Sequence, residues 1–183
     1  RVFHSFHRVP ITVEELQLKE TTGTHQRVID MVAHELITKE RIEEWKELPG
    51  VAPGVDISRD IVKLAAIERH KNTGHVGLGF LGKYGLKKGA VATSIGHDSH
   101  NLVIAGVTDE DMVLAGNRVI ENGGGLAIAL AGKVLADLPL PIGGLMADEP
   151  VEVVDEKLEH MKKLSVELGI SEDIDAFMTL AFI

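Results

Sequence analysis

Two short apolar runs, Ala90-Val91-Ala92-Thr93-Ser94-Ile95 and Leu102-Val103-Ile104-Ala105, enclose five consecutive polar residues, His97-Asp98-Ser99-His100-Asn101. The runs read as strands, the first entered after Gly89, so the chain must join two buried strands through side chains that all donate or accept hydrogen bonds. Three of the five, His97, Asp98 and His100, can titrate or bind a metal. Grouping them at the edge of a buried sheet carries a desolvation cost unless each finds a partner. A core has no need of that arrangement, whereas a site can use it.

Around this centre the pattern mixes strands and helices. Residues 1–20 start extended, and Thr12-Val13-Glu14-Glu15 has the spacing of a short capped helical turn. Between Arg27 and Trp45, Val28, Met31 and Val32 suit a strand, while the charge from Lys39 to Lys46 fits either an exposed helix or an edge hairpin. Leu48-Pro49-Gly50-Val51-Ala52-Pro53-Gly54 is a loop. Ile61 to Ile67 reads as a strand, and the segment with Gly74, Gly77, Gly79, Gly82 and Gly85 is too glycine-rich for a stable helix. Thr108-Asp109-Glu110-Asp111 opens a helix with Met112, Ala115 and Val119 on one face, ended by Asn122-Gly123. Leu126 to Leu130 and Val134 to Leu138 form a hairpin across Gly132. Asp148 and Pro150 start the longest helix, with Val151, Val154, Leu158, Met161 and Leu168 inward and Gly169 as its stop, and Ser171 caps a last helix facing inward through Ile174, Phe177, Met178 and Ala181. The predicted class is α+β: a mixed sheet or sheets with flanking helices.

Composition narrows the function classes. The 183 residues suit one large domain or a domain with an appendage, and a formal charge of -9 argues against a sequence-independent nucleic-acid surface. With no cysteines, disulfides, thiolate metal sites and cysteine nucleophiles are excluded. This suits a reducing, cytoplasmic setting. No apolar run approaches the roughly 18 residues of a membrane span, and no signal-peptide pattern opens the chain. A first residue other than Met and an apolar ending, Leu180-Ala181-Phe182-Ile183, lead us to expect a fragment of a longer protein.

For His97, Asp98, Ser99, His100 and Asn101 two readings stand open. One is a connection with an Asx-type turn and surface histidines; the other is the lining of a pocket. An extended segment would send His97, Ser99 and Asn101 one way and Asp98 and His100 the other, whereas a tight turn would converge several of them. Metal binding by His97, Asp98 and His100 is chemically admissible, but the spacing matches no strong ligand signature. Hydrogen bonding to a polar heterocycle fits better, since Asp accepts from an amine or ring N–H and Asn both donates and accepts. A weaker candidate is Glu68-Arg69-His70 with Thr73-Gly74-His75, at the end of another apolar strand. Gly123-Gly124-Gly125 resembles a phosphate cradle only superficially, because a helix precedes it and a strand follows, so it reads as a helix stop. His4, His7, His25, His34 and His160 are scattered and read as exposed or satisfied structural histidines.

An ordered series of motifs adds a resemblance. Ile67-Glu68-Arg69-His70, Thr73-Gly74, Gly77-Leu78-Gly79-Phe80, Gly85-Leu86-Lys87-Lys88-Gly89-Ala90, His97-Asp98-Ser99-His100-Asn101 and Asp109-Glu110-Asp111-Met112 resemble the C-terminal domain of microbial adenine deaminases. So do Asn117-Arg118, Gly123-Gly124-Gly125 and Leu138-Pro139-Leu140-Pro141-Ile142. The resemblance is dense from about Asp60 and loose before it, which divides the chain into a connector and start of domain, 1–58, and a C-terminal domain, 59–183, truncated at its C-terminal end.

The resemblance implies a parent enzyme of the amidohydrolase superfamily that hydrolyses adenine to hypoxanthine and ammonia in purine metabolism. Its catalytic TIM-type barrel holds manganese or iron and lies outside this chain, which is too short for a barrel of about 250 residues and has no His-x-His motif to introduce one. The resemblance places the metal ligands and the principal catalytic residues in that barrel and assigns none of them to this chain. The fragment is then expected to be inactive alone, with adenine, the missing barrel and further copies of itself as the parent's partners. In that setting Asp98, Ser99 and Asn101 face or support the substrate, and the histidines shuttle protons or position groups. Two rivals remain: a purine-binding module without hydrolysis, and a structural module for oligomer assembly.

Overall fold

The computed structural model describes residues 3, 5–18, 23–33 and 35–183. Its strands are β1 His25–Met31, β2 Thr38–Glu44, β3 Ile61–Ile67, β4 Val76–Gly82, β5 Ala90–Thr93, β6 Leu102–Gly106, β7 Gly125–Leu130 and β8 Lys133–Pro139. They form one open sheet in the order β2-β1-β4-β3-β6-β5-β7-β8. Among the described residues only β1 with β4 is parallel; the other strand pairings are antiparallel. Three helices, α1 Asp109–Glu121, α2 Val151–Glu167 and α3 Ala176–Leu180, complete the α+β arrangement that the sequence pattern predicts.

Both faces of the central strands are covered, which explains why these strands read as continuous apolar runs. Along β5, β6 and β7 alternate residues enter two different cores. Ala90, Ala92, Leu102, Ile104, Ala127 and Ala129 meet Met112, Ala115 and Val119 of α1. Val91, Val103, Ala105, Leu126 and Ile128 meet Met161 of α2 and Phe177 and Leu180 of α3. The α1 face is rich in alanine, so the helix lies close to the sheet. Because β5 runs antiparallel to both β6 and β7, the β6-α1-β7 connection spans two parallel strands with a third between them.

Local chemistry sets the ends of these elements. The Thr108 hydroxyl accepts the Asp111 N–H at 3.3 Å, capping α1. Asp111 in turn accepts the N–H groups of Ala131 and Gly132, at 3.2 and 3.1 Å, which fastens the β7–β8 turn to the helix start. At the other end of α1, Gly124 N–H bonds to Val119 C=O and Gly123 N–H to Ile120 C=O, the paired closure of a Schellman stop. Glu15 accepts the Thr12 N–H at 3.0 Å, the returning half of a capping box, beside the 3-10 turn Glu14–Leu16.

Several details differ from the sequence reading. The undecided stretch from Arg27 to Trp45 is an edge hairpin, β1–β2, within the segment read as connector and start of domain, and it joins the main sheet through β4. Charged side chains along β2 suit an edge that is not to pair further. Val151 does not face inward: it is 73% exposed, and the buried residues of α2 are Met161 and Ser165, with Leu168 buried at its C-cap. The last helix is capped by Asp175, whose carboxylate accepts from Phe177 and Met178 N–H, rather than by Ser171. Met178 is half exposed, because a helix of five residues buries only one narrow stripe, here Phe177 and Leu180. Among the described residues no helix is long and apolar enough to cross a membrane.

Candidate functional site

Strand register brings the two candidate clusters together. β3 and β6 pair antiparallel with Ile67 opposite Leu102. The residues following β3, Glu68-Arg69-His70, therefore emerge alongside those preceding β6, Ser99-His100-Asn101. The ends of β5, β7 and β8 reach the same side of the sheet, since Thr93 pairs with Leu126 and Gly125 with Pro139.

The polar five form a tight turn rather than an extended connection. Ser99 N–H bonds to His97 C=O at 2.8 Å with Asp98 at φ 63°, a γ-turn of the positive-φ kind. His100 N–H closes back on Gly96 C=O at 2.9 Å, with His100 at φ 48°. Two non-glycine residues in the left-handed region within three positions is costly, and surrounding contacts have to maintain it. They do so from three directions. His97 N–H donates to Ala181 C=O at 2.6 Å, His70 Nε2–H donates to Ser99 C=O at 2.8 Å, and Arg69 Nε–H donates to His100 C=O. The backbone is fastened while the side chains are presented: those of His97 and Asp98 are 60% and 90% exposed. His97 Nδ1 lies 3.2 Å from Asp98 Oδ1, and its ring stacks on Phe182 at 5.1 Å. Ser99 is exposed and its hydroxyl accepts the Asn101 N–H at 3.4 Å, whereas His100 and Asn101 are half-buried, with His100 Nδ1 unbonded.

Beneath the turn lies Arg69, 1% exposed. Besides the His100 carbonyl it bonds the Gly143 carbonyl through Nη2 at 3.0 Å and stands 4.9 Å over the Phe6 ring. Burial pulls its guanidinium below the ordinary arginine value, and no carboxylate opposes that. The loop carrying Gly143 is fastened by buried Ser94, whose Oγ donates to Gly144 C=O at 2.6 Å and accepts Gly125 N–H at 2.7 Å. The sequence reading missed Ser94 and this loop. The adjacent Gly143-Gly144 pair was the available signal, since Gly144 sits at φ 74° and a Cβ there would lie 2.8 Å from Arg69 Nη1.

Glu68 points elsewhere. Its carboxylate curls into its own loop, where the Thr73 N–H, then those of Lys71 and His70, with the Thr73 hydroxyl, hold it down to about 2. An apolar cavity of about 410 Å³ adjoins Ile95 and is walled by Leu140, Leu158 and Phe177, but none of the polar five lines it. The five therefore stand on a surface turn, and a pocket there needs a second surface above it. Among the described residues no group of three His, Cys, Asp or Glu side chains is placed to hold a metal ion. His7, His25 and His160 are exposed; His4 and His34 lie outside the described residues.

Comparison with known proteins gives a consistent result. A family model described as the adenine deaminase C-terminal domain matches residues 35–183, which takes in β2 and the loop after it as well as the denser motifs. Adenine deaminase 2 of Carboxydothermus hydrogenoformans is 46% identical over 173 residues, covering 94% of this chain and 30% of that protein. Adenine deaminase of Kosmotoga olearia is 47% identical over 172 residues, covering 93% and 30%. That of Bacillus licheniformis is 38% identical over 182 residues, covering 100% and 31%. The chain thus spans about 30% of the length of the curated relatives it matches.

Proposed function

The chain belongs to the family of adenine deaminase C-terminal domains, and from that premise we propose that it serves an enzyme that hydrolyses adenine to hypoxanthine and ammonia. The observation that carries the site reading is the 96–101 turn, fastened along its backbone while His97 and Asp98 project outward. A turn cannot enclose a purine, so the remaining walls come from a separate catalytic domain of the parent enzyme. Asp98 accepts an N–H of the heterocycle, and His97, oriented by Asp98, relays a proton. Ser99 and Asn101 support that surface, and His100 anchors it. Manganese or iron belongs to the catalytic domain in this reading; this chain offers no fitting ligand group among its described residues.

The test is made in the full-length enzyme. His97→Ala and Asp98→Ala should each lower turnover by roughly 10²-fold, the lower range for a lost proton-transfer group. His97→Ala removes an exposed side chain and should change stability by no more than about 0.5 kcal/mol, whereas Asp98→Ala, at φ 63°, should cost about 1–2 kcal/mol because alanine tolerates the left-handed region less well than aspartate. Unchanged kcat and KM in both variants would refute the site. The isolated chain should release no ammonia from adenine; release by the chain alone would overturn the division of labour.

An assembly role has one specific observation behind it. Leu36 and Ile37, before β2, are 70% and 58% exposed, near Phe182 at 36% in the same small hollow beside α3. Leu36→Ser with Ile37→Ser should convert an oligomer to a smaller species in sedimentation while leaving turnover per active site intact if that surface serves assembly alone.

A further inference from the structure

We propose that Arg69 is the positioning residue of the 96–101 turn: its guanidinium ties the His100 carbonyl to the Gly143 carbonyl and so sets where His97 and Asp98 stand. The catalytic consequence rests on the reading of that turn as part of the adenine site; the clamp itself does not.

The turn needs an external clamp. Asp98 and His100 both hold positive φ without being glycine, so the free segment would relax to other backbone states. Of the side chains that anchor it, His70 is exposed to water and Arg69 is buried. A hydrogen bond from a charged donor in a water-poor setting holds more firmly than one at the surface. Arg69 is also an expensive residue to place there as simple packing. It is buried with no opposing carboxylate and with Nη1 unbonded, so carbonyl dipoles and the Phe6 face are what offset its charge. Its position is defined from below as well. The guanidinium lies against Gly144, where a Cβ would come within 2.8–2.9 Å of Nη1, Cζ and Nη2, and the Gly144 carbonyl is held by Ser94. The fork geometry matters: Nε reaches one loop while Nη2 reaches the other. Lysine has the charge but not the planar fork, so it cannot hold both carbonyls in fixed relation.

The experiment compares wild type, Arg69→Lys and Arg69→Ala in the full-length enzyme, by hydrogen exchange of peptides spanning 95–102 and by adenine kinetics. Loss of the clamp should speed exchange of the Ser99 and His100 amides at least tenfold in both variants, while β3 and β6 amides keep their protection. Turnover should fall on the order of 10²-fold, as for a displaced positioning group, with KM much less affected. Arg69→Lys keeps the charge and most of the volume, so it carries the test if Arg69→Ala does not fold. Wild-type exchange at Ser99 and His100 in Arg69→Lys would overturn the proposal. Fast exchange with unchanged turnover would leave the clamp standing and refute the functional reading of the turn. Wild-type exchange, with turnover still lost in His97→Ala, would do the reverse.

Discussion

Replacing Ser94 by alanine removes one oxygen atom and should cost far more than its size suggests. Ser94 is fully buried, and its hydroxyl donates to Gly144 C=O at 2.6 Å and accepts Gly125 N–H at 2.7 Å. Both partners are themselves buried, so Ser94→Ala takes this bond from a donor and an acceptor that water does not reach. At about 1–3 kcal/mol for each orphaned group, the expected loss is about 2–6 kcal/mol. For a chain of this size that corresponds to a fall in Tm of roughly 4–24 °C. Denaturant unfolding with unchanged m-value is the assay. The effect should also reach the site, because the loop that Ser94 fastens is the one that Arg69 grips. A double-mutant cycle of Ser94→Ala with Arg69→Lys should therefore depart from additivity by about 0.5–3 kcal/mol. A loss below about 0.5 kcal/mol for Ser94→Ala would refute the reasoning, since the Gly144 loop would then be held by something other than this hydroxyl.

Two further perturbations probe the frame around the site. Lys63 and Asp109 form a buried ion pair at 2.7 Å between β3 and the start of α1; Lys63→Met alone should cost about 3–5 kcal/mol by stranding the carboxylate, and Lys63→Met with Asp109→Leu should recover most of it in denaturant unfolding. Asp56 is held down to about 2, against an ordinary 3.8, by Ser58 first and Arg59 second. A depressed folded-state pKa contributes stability that is present above about pH 4 and lost as pH falls through about 2. Asp56→Asn should accordingly flatten the decline of Tm across that window, and an equal slope in both proteins would contradict the assignment.

The fold was legible wherever local pattern and burial agree. The span Ile61–Ile67, the Thr108 cap, the Gly123 stop and the Gly132 turn all follow from side-chain periodicity and backbone permissiveness, which act within a few residues. The errors lie where an element is short or two-sided. Ser171 looks like a cap, but Asp175 is closer to the residues that pack. Val151 has the period of the inner face but stands at the first position of α2, where its side chain is exposed. The 27–45 stretch had too few apolar positions for its pattern to decide, and pairing with β4 decided it.

The same division runs through the site. The motif series pointed to the family that the family model and the relatives show, and the polar five were marked by their chemistry between two apolar runs. That they form a strained turn, that Arg69 rather than Glu68 reaches them, and that Ser94 and Gly144, 25 and 75 positions beyond Arg69 in the chain, support its guanidinium are results of strand register. A sequence carries local propensity and burial at each position, and these specify strands and caps. Which strand ends share one side of the sheet depends on contacts between residues far apart in the chain, and those exist only once the sheet has closed around both cores.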